Sequence, residues 1–307
     1  MELDALQKHM LETISDLHEI PEGAYNIRDN GQSAGRNVTA NINIVSKEDK
    51  PGIDIIVKEN TKNESVHIPV ILSKEGLKDL VYNDFYIGEN ADVLIVAGCG
   101  IHCGGDSDMQ HDGIHTFHIG KGAKVKYVEK HYGEGEGKGG RILNPVTKIF
   151  VEDGGLFEME SVQIKGVDST IRDTEAVLNA GAKLIIKEKI MTHEQQRAET
   201  NFVVELNGED SSADLVSRSV AKGHSYQIFN SKILGNNKCY GHSECDGILM
   251  DEGRVVAVPS LDAANIDASL IHEAAIGKIA GEQIDKLRTL GLTQEEAEQQ
   301  IVNGFLK

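Results

Sequence analysis

The chain has 307 residues, with 49 Asp and Glu against 31 Lys and Arg, giving a formal net charge of −18. This acidity excludes a broad nucleic-acid surface, which needs clustered cations, and no apolar run of about 18 residues is present to cross a membrane as a helix. The four cysteines, Cys99, Cys103, Cys239 and Cys245, do not make a disulfide framework in a chain of this size. With no secretory pattern at the N-terminus, the expected compartment is the cytoplasm.

Residues 1–23 are predicted as an N-terminal helical segment. Leu3, Leu6, Met10, Ile14 and Leu17 form one apolar stripe across Met1 to Ile20, Leu11 widens it, and Pro21 and Gly23 end it. From Ala24 the period changes to two, as Ala40, Ile42 and Ile44 alternate with Thr39, Asn41 and Asn43. An internal repeat follows. Ile87-Gly88-Glu89-Asn90-Ala91-Asp92-Val93 recurs 32 residues later as Ile119-Gly120-Lys121-Gly122-Ala123-Lys124-Val125, with echoes near Glu152, Asn179, Asp210 and Asp251. Each copy is a polar or glycine-containing turn followed by a short strand, the signature of units that stack on one another. The prediction for residues 24–272 is an all-β parallel β-helix, with a β-sandwich as the rival. Residues 273–307 are predicted as a C-terminal helical segment of two helices. Ile276, Ile279, Ile284, Leu287 and Leu290 line the first, which Gly291 ends. Thr293 and Glu296 form a capping box for the second, with Ala297, Ile301 and Phe305 on its buried face.

The segment Cys99 to His118 is the densest in ligand-type side chains. Cys99, His102, Cys103, His111, His115 and His118 are candidate ligands for iron or zinc, since thiolate and imidazole suit both. The spacing lacks a Cys-x-x-Cys pair, and four glycines around the cysteines argue for a loop rather than a helix. The alternative is a glycine-rich surface loop with hydrogen-bonded histidines. Further on, Cys245 follows His242 and Glu244, and a thiolate there can bind a soft metal or accept sulfur. Alternatively it is a small buried hydrophobe. His272 and Glu273 are placed at the end of the β region. Adjacent strand residues face opposite ways, so without a bend both do not enter one site. No phosphate-binding loop is present, and the glycine-rich stretch from Gly133 to Gly140 reads as an exposed loop.

The stretches CDGILMDEGRVVAVPSLDA and IHEAAIGKIAGEQIDKLRTLGLTQEEAEQQIVNGFL, beginning at Cys245 and Ile271, resemble the core of the SufB/SufD family of iron–sulfur cluster assembly scaffolds. The resemblance covers about residues 30 to 307 and looks like a short form of the family. It implies a right-handed parallel β-helix followed by short helices, and a non-enzymatic scaffold for a transient iron–sulfur cluster. The implied assembly is a homodimer or SufB–SufD-like heterodimer, with a SufC-like ABC-type ATPase on the C-terminal helices. Cys245 resembles the sulfur-accepting or cluster-binding thiolate, His272 a histidine near the cluster at the subunit interface, and Glu273 a ligand or proton relay. Ile271 departs from the acid of typical SufB. The alternatives are a SufD-like structural or metal-binding partner without a complete cluster site, and a metal-dependent enzyme using the Cys99–His118 segment. A carbohydrate-active β-helix is a further alternative, disfavoured by the absence of Trp.

Overall fold

The computed structural model describes residues 4–307. Leu3, assigned above to the helical stripe, lies outside the described residues. Two ten-stranded sheets face each other, and the chain passes from one to the other at each half-turn. The first sheet opens with the antiparallel hairpin Ala24–Asp29/Gln32–Asn37. It then adds, all parallel, Lys62–Leu72, Asp92–His102, Lys124–Glu134, Leu156–Lys165, Lys183–Thr192, Ser211–Ala221, Cys239–Leu249 and Ala268–Lys278. The second runs from Ile42–Ser46 through Gly52–Val57, Lys78–Ile87, Met109–Ile119, the pair Arg141–Leu143 and Val146–Val151, Ser169–Leu178, Arg197–Leu206 and Tyr226–Gly235 to Arg254–Ala263. This is a parallel β-solenoid, as expected, and the sandwich rival is excluded because the long strands pair parallel at each turn.

The repeat has a simple cause. Asp92 pairs with Lys124 and Lys124 with Leu156, 32 residues apart each time. The corners are tight turns in which Asn90, Asp210 and Asp251 take positive φ (56°, 57° and 56°), as do Gly122, Gly154 and Gly181, so Asn, Asp and Gly recur there. Along each strand the inward residues are apolar and pack into one continuous core. Phe85 stacks on Phe117 with centroids 4.2 Å apart, and Phe117 meets Phe157 at 4.8 Å.

Helix α1 spans Ala5–Ser15, shorter than the predicted Met1 to Ile20. Asp4 and Gln7 cap its start, and Asp16, at φ 53°, turns its amide back onto Glu12 and Leu11 and ends it before Pro21. Met10, Leu11 and Ile14 bury against Ile27 and Ile71. Gly98 and Gly100 make the bed for α1, since a Cβ on Gly98 would stand 2.3 Å from the Ile14 carbonyl oxygen.

At the other end the β region continues past residue 272, where the boundary was expected. Strand Ala268–Lys278 takes in Ile276, assigned above to a helix, and α2 begins only at Gly281 and ends at Arg288. Parallel pairing with Cys239–Leu249 extends the strand, so the apolar spacing of Ile276 and Ile279 is not helical. Helix α3 (Gln294–Phe305) has the predicted Thr293/Glu296 capping box. It buries Ala297 and Val302, the latter against Val220, with Phe305 partly buried beside it. By contrast, α2 buries no residue. Among the described residues no helix is long and apolar enough to cross a membrane.

Candidate functional site

Strand alternation decides the fate of the Cys99–His118 residues. The segment is mostly two strands, with a loop only between His102 and Met109. Cys99 and Cys103 are buried in the core. Burial, reinforced by the charges of Asp79 and Glu129, pushes the Cys99 thiol well above its usual range. His102 is directed to Glu134, 3.0 Å away. His111 donates from Nδ1 to Asp79 (3.1 Å), which also receives the fork of Arg28. Burial alone would raise the Asp79 carboxyl, but these hydrogen bonds hold it well below the usual carboxylate range. His118 stacks between Tyr86 and Phe150 on the outer surface, with centroids at 5.0 and 5.5 Å. The six expected ligands are therefore dispersed over two faces, and among the described residues no three of them bring ligand atoms within 4.8 Å of one another.

His115 belongs to a buried chain of partners that sequence reading did not single out. Its Nδ1 donates to the Tyr127 hydroxyl (2.9 Å), which donates in turn to Glu129 Oε1 (2.9 Å). Arg172 joins Glu129 to His131 and reaches Glu188, which also accepts hydrogen bonds from Thr200 and Ser217. Burial lowers the pKa of His115 to about 4. Burial would raise Glu129, but His131 and Arg172 outweigh it and hold the carboxyl well below its usual range. Inward parity was the available signal, because Glu129 and Glu188 alternate in step with the buried Tyr127 and Ile186. The Gly133–Gly140 stretch also has a packing role. Gly135, Gly137 and Gly139 lie against the backbone of residues 103–107, where a Cβ would come within 2.1–2.2 Å of a carbonyl oxygen. Close backbone approach, not phosphate binding, accounts for those alternating glycines.

Cys245 and His272 lie on neighbouring parallel strands at the C-terminal end of the solenoid. The register sets Ser243 beside His272 and Cys245 beside Ala274. Both side chains therefore share the inward face, displaced diagonally by two residues, or roughly 8 Å between Cα atoms from strand spacing and rise. Cys245 is 0% exposed. Burial first, then the charges of Glu188 and Asp246, push its thiol up to about 12. His272 Nδ1 is buried and has no hydrogen-bond partner, an imbalance that native interiors avoid. Glu273 faces the opposite way, since no bend interrupts the strand, and it does not join them.

On that outer face His242, Glu244 and Glu273 bring one ligand atom each to within 4.8 Å of one another, a group able to hold a metal ion. Sequence reading noted His242 and Glu244 only as neighbours of Cys245. Their union with Glu273 depends on the register between two strands.

Comparison with known proteins gives a consistent answer. The SufBD core domain of the SUF system for FeS cluster assembly matches residues 85–305. An iron-sulfur cluster assembly SufBD family protein of Archaeoglobus fulgidus is 32% identical over 247 residues, 79% of this chain and 65% of that protein. Relatives of the same description are 30% identical in Methanothermobacter thermautotrophicus (77% of this chain, 57% of the relative) and 28% in Methanocaldococcus jannaschii (82% and 79%). The match thus spans less than two thirds of the length of the first two relatives.

Proposed function

The chain belongs to the SufBD family of iron–sulfur cluster assembly proteins, and from that premise we propose that it is a non-enzymatic scaffold subunit on which clusters are built. The observation that carries this reading is the unpartnered, buried Nδ1 of His272 on the same inward face as Cys245. Cα atoms roughly 8 Å apart on one face leave room between the two side chains for a shared metal or cluster. Thiolate and imidazole both ligate iron. The iron and sulfide are cargo here, passed onward once assembled.

Sulfur arrives from a persulfide donor. The Cys245 thiolate attacks the terminal sulfur, the donor S–S bond breaks, a new S–S bond forms on Cys245, and the donor leaves as a thiolate with no net redox change. Burial keeps the thiol protonated in the closed state. Only the last turn covers Cys245 on its C-terminal side, through Ala274. Moving the Ala268–Lys278 strand would admit water, lower the thiol pKa and expose the nucleophile.

That strand is also the free edge of its sheet, with Ile271 and Ile276 exposed. An unpaired edge is a template for another chain, so a second β-helical subunit is assigned there, as a homodimer or SufB–SufD-like heterodimer. Helix α2, with nothing buried, is assigned to an ABC-type ATPase whose motion opens the interface. Four free buried cysteines suit the cytoplasm.

The sealed state of Cys245 and the apolar Ile271 favour a second reading, a SufD-like partner that stabilises the complex without a complete cluster site. Anaerobic reconstitution separates the two. The scaffold acquires a stoichiometric Fe–S chromophore that Cys245→Ala abolishes. Full chromophore in the variant removes Cys245 from the site, and none in the wild type, with its partner present, leaves the SufD-like role.

A further inference from the structure

Outward residues of neighbouring turns generally meet complementary partners. Lys189 reaches Glu160 at 3.1 Å, Asn201 donates to Asp173 at 2.8 Å, and Asn230 donates to Asn201 at 2.7 Å. The last turn breaks this rule. Glu244 pairs laterally with Glu273, and Asp246 follows two residues after Glu244 on the same face. Like charges side by side on a sheet repel. Burial first, and then Asp246, raise the Glu244 carboxyl, while His242 and Arg218 pull it down. Arg218 pairs in register with Asp246, not with the two glutamates.

We propose that His242, Glu244 and Glu273 form a binding site for a first-row divalent cation on the outer face of the solenoid, separate from the inward Cys245 and His272. Three features support it beyond the acidic charge. First, the imidazole is pre-set, because His242 Nδ1 donates to Asp214 Oδ1 at 2.8 Å from the preceding turn. That fixes the tautomer and leaves the Nε2 lone pair free, the carboxylate–histidine–metal arrangement. Second, Nε2 stands 4.0 Å from Glu273 Oε2. This exceeds a hydrogen bond and is close to the ~3.4 Å that separates two tetrahedral ligands bound at about 2.1 Å, a difference that rotation of the exposed Glu273 side chain closes. Third, the Glu273 side chain is 68% exposed, so an ion enters from solvent without opening the fold. One imidazole with carboxylates suits Fe(II), Mn(II) or Zn(II) rather than Cu(I), which prefers sulfur, or Ca(II), which prefers oxygen alone.

Naming ferrous iron as the ion in the cell rests on the assembly reading; the cation site does not. In that setting the outer ion lies on the opposite face of the wall from the cluster-binding Cys245 and His272, because Glu244 precedes Cys245 and His272 precedes Glu273 in the chain. Here Asp214 is a positioning residue.

The test is anaerobic titration of the full chain with Fe(II) against a chromophoric chelator, repeated with Mn(II) by loss of the free-ion paramagnetic signal. One ion per chain is expected. His242→Ala and Glu273→Gln should each weaken binding at least ~10-fold, and Asp214→Asn by about 10-fold, whereas Cys245→Ala leaves it unchanged. Glu273→Gln alters an exposed side chain, so it remains informative if His242→Ala folds poorly. Unchanged affinity in the folded variants, or an equal loss in Cys245→Ala, overturns the proposal. The assembly reading fails differently: the cation binds and no Cys245-dependent chromophore forms.

Discussion

Two regions of this molecule hold cysteine and histidine close together, and they differ in whether the histidines have protein partners. Around Cys99, His111 and His115 the sequence is richest in ligand types, yet His111 and His115 have protein partners: Asp79 for one, Tyr127 and Asn83 for the other. Only a cavity of about 20 Å³ remains among Cys99, His111, His115, Glu129 and His131, the size of one water molecule. Around Cys245 and His272 the sequence is sparser, but His272 Nδ1 lacks a partner and two glutamates sit side by side on neighbouring strands. Abundance of ligand atoms does not make a site when the fold uses them up. Unspent valence at an open end of the solenoid is the better marker.

The sharpest way to break this comparison is to remove the hub of the satisfied region. Arg172→Leu strips Glu129 and Glu188 of their buried cation and should cost about 3–5 kcal/mol, read from the urea midpoint. A loss comparable to a surface ion pair, under about 1 kcal/mol, would show that the interior chain is not the structural element described here.

A smaller effect is expected from pH. Folded His115 stays neutral down to about pH 4, whereas an ordinary histidine protonates near 6.5. Between those values the unfolded chain binds the extra proton, so stability falls as pH falls through the window, by up to roughly 3 kcal/mol for this group. Burial lowers His67 and His131 in the same sense. Thermal melts from pH 7 to 4 should show the decline and His115→Gln should flatten it; an equal slope in both proteins would remove His115 as a cause.

The smallest change is expected from the His102→Ala/Cys103→Ala double variant. If metal binds at the terminal turn, the metal content per chain by elemental analysis stays at the wild-type value. A drop would restore the Cys99–His118 segment as a metal centre, and with it the metal-dependent enzyme alternative.

Much of the architecture was legible without coordinates. Thr293 and Glu296 announced the cap of α3, and the recurring Gly-x-x-Ala-Asp/Lys turns announced the stacked corners. Ile276 misled because residues spaced three apart serve a helix stripe as well as a strand that ends nearby, and only pairing with Gly247 decided between them. The early end of α1 at Asp16 was hidden for a related reason: a left-handed cap by a non-glycine residue carries little sequence signal.

The sequence by itself determined that short strands alternate, turn at Asn, Asp or Gly and stack, because period-two burial and positive-φ corners are local requirements. Only the tertiary structure decided which side chains meet. Lateral partners lie 32 residues apart where the 103–108 and 135–140 corners are long, but 29 apart where Lys183 meets Ser212. A slip of one residue sends every side chain to the other face. The pairings of Ser243 with His272, Glu244 with Glu273 and His242 with Asp214 therefore belong to the register, and so does the division that sets Cys245 inside the wall and the His242, Glu244 and Glu273 group outside it.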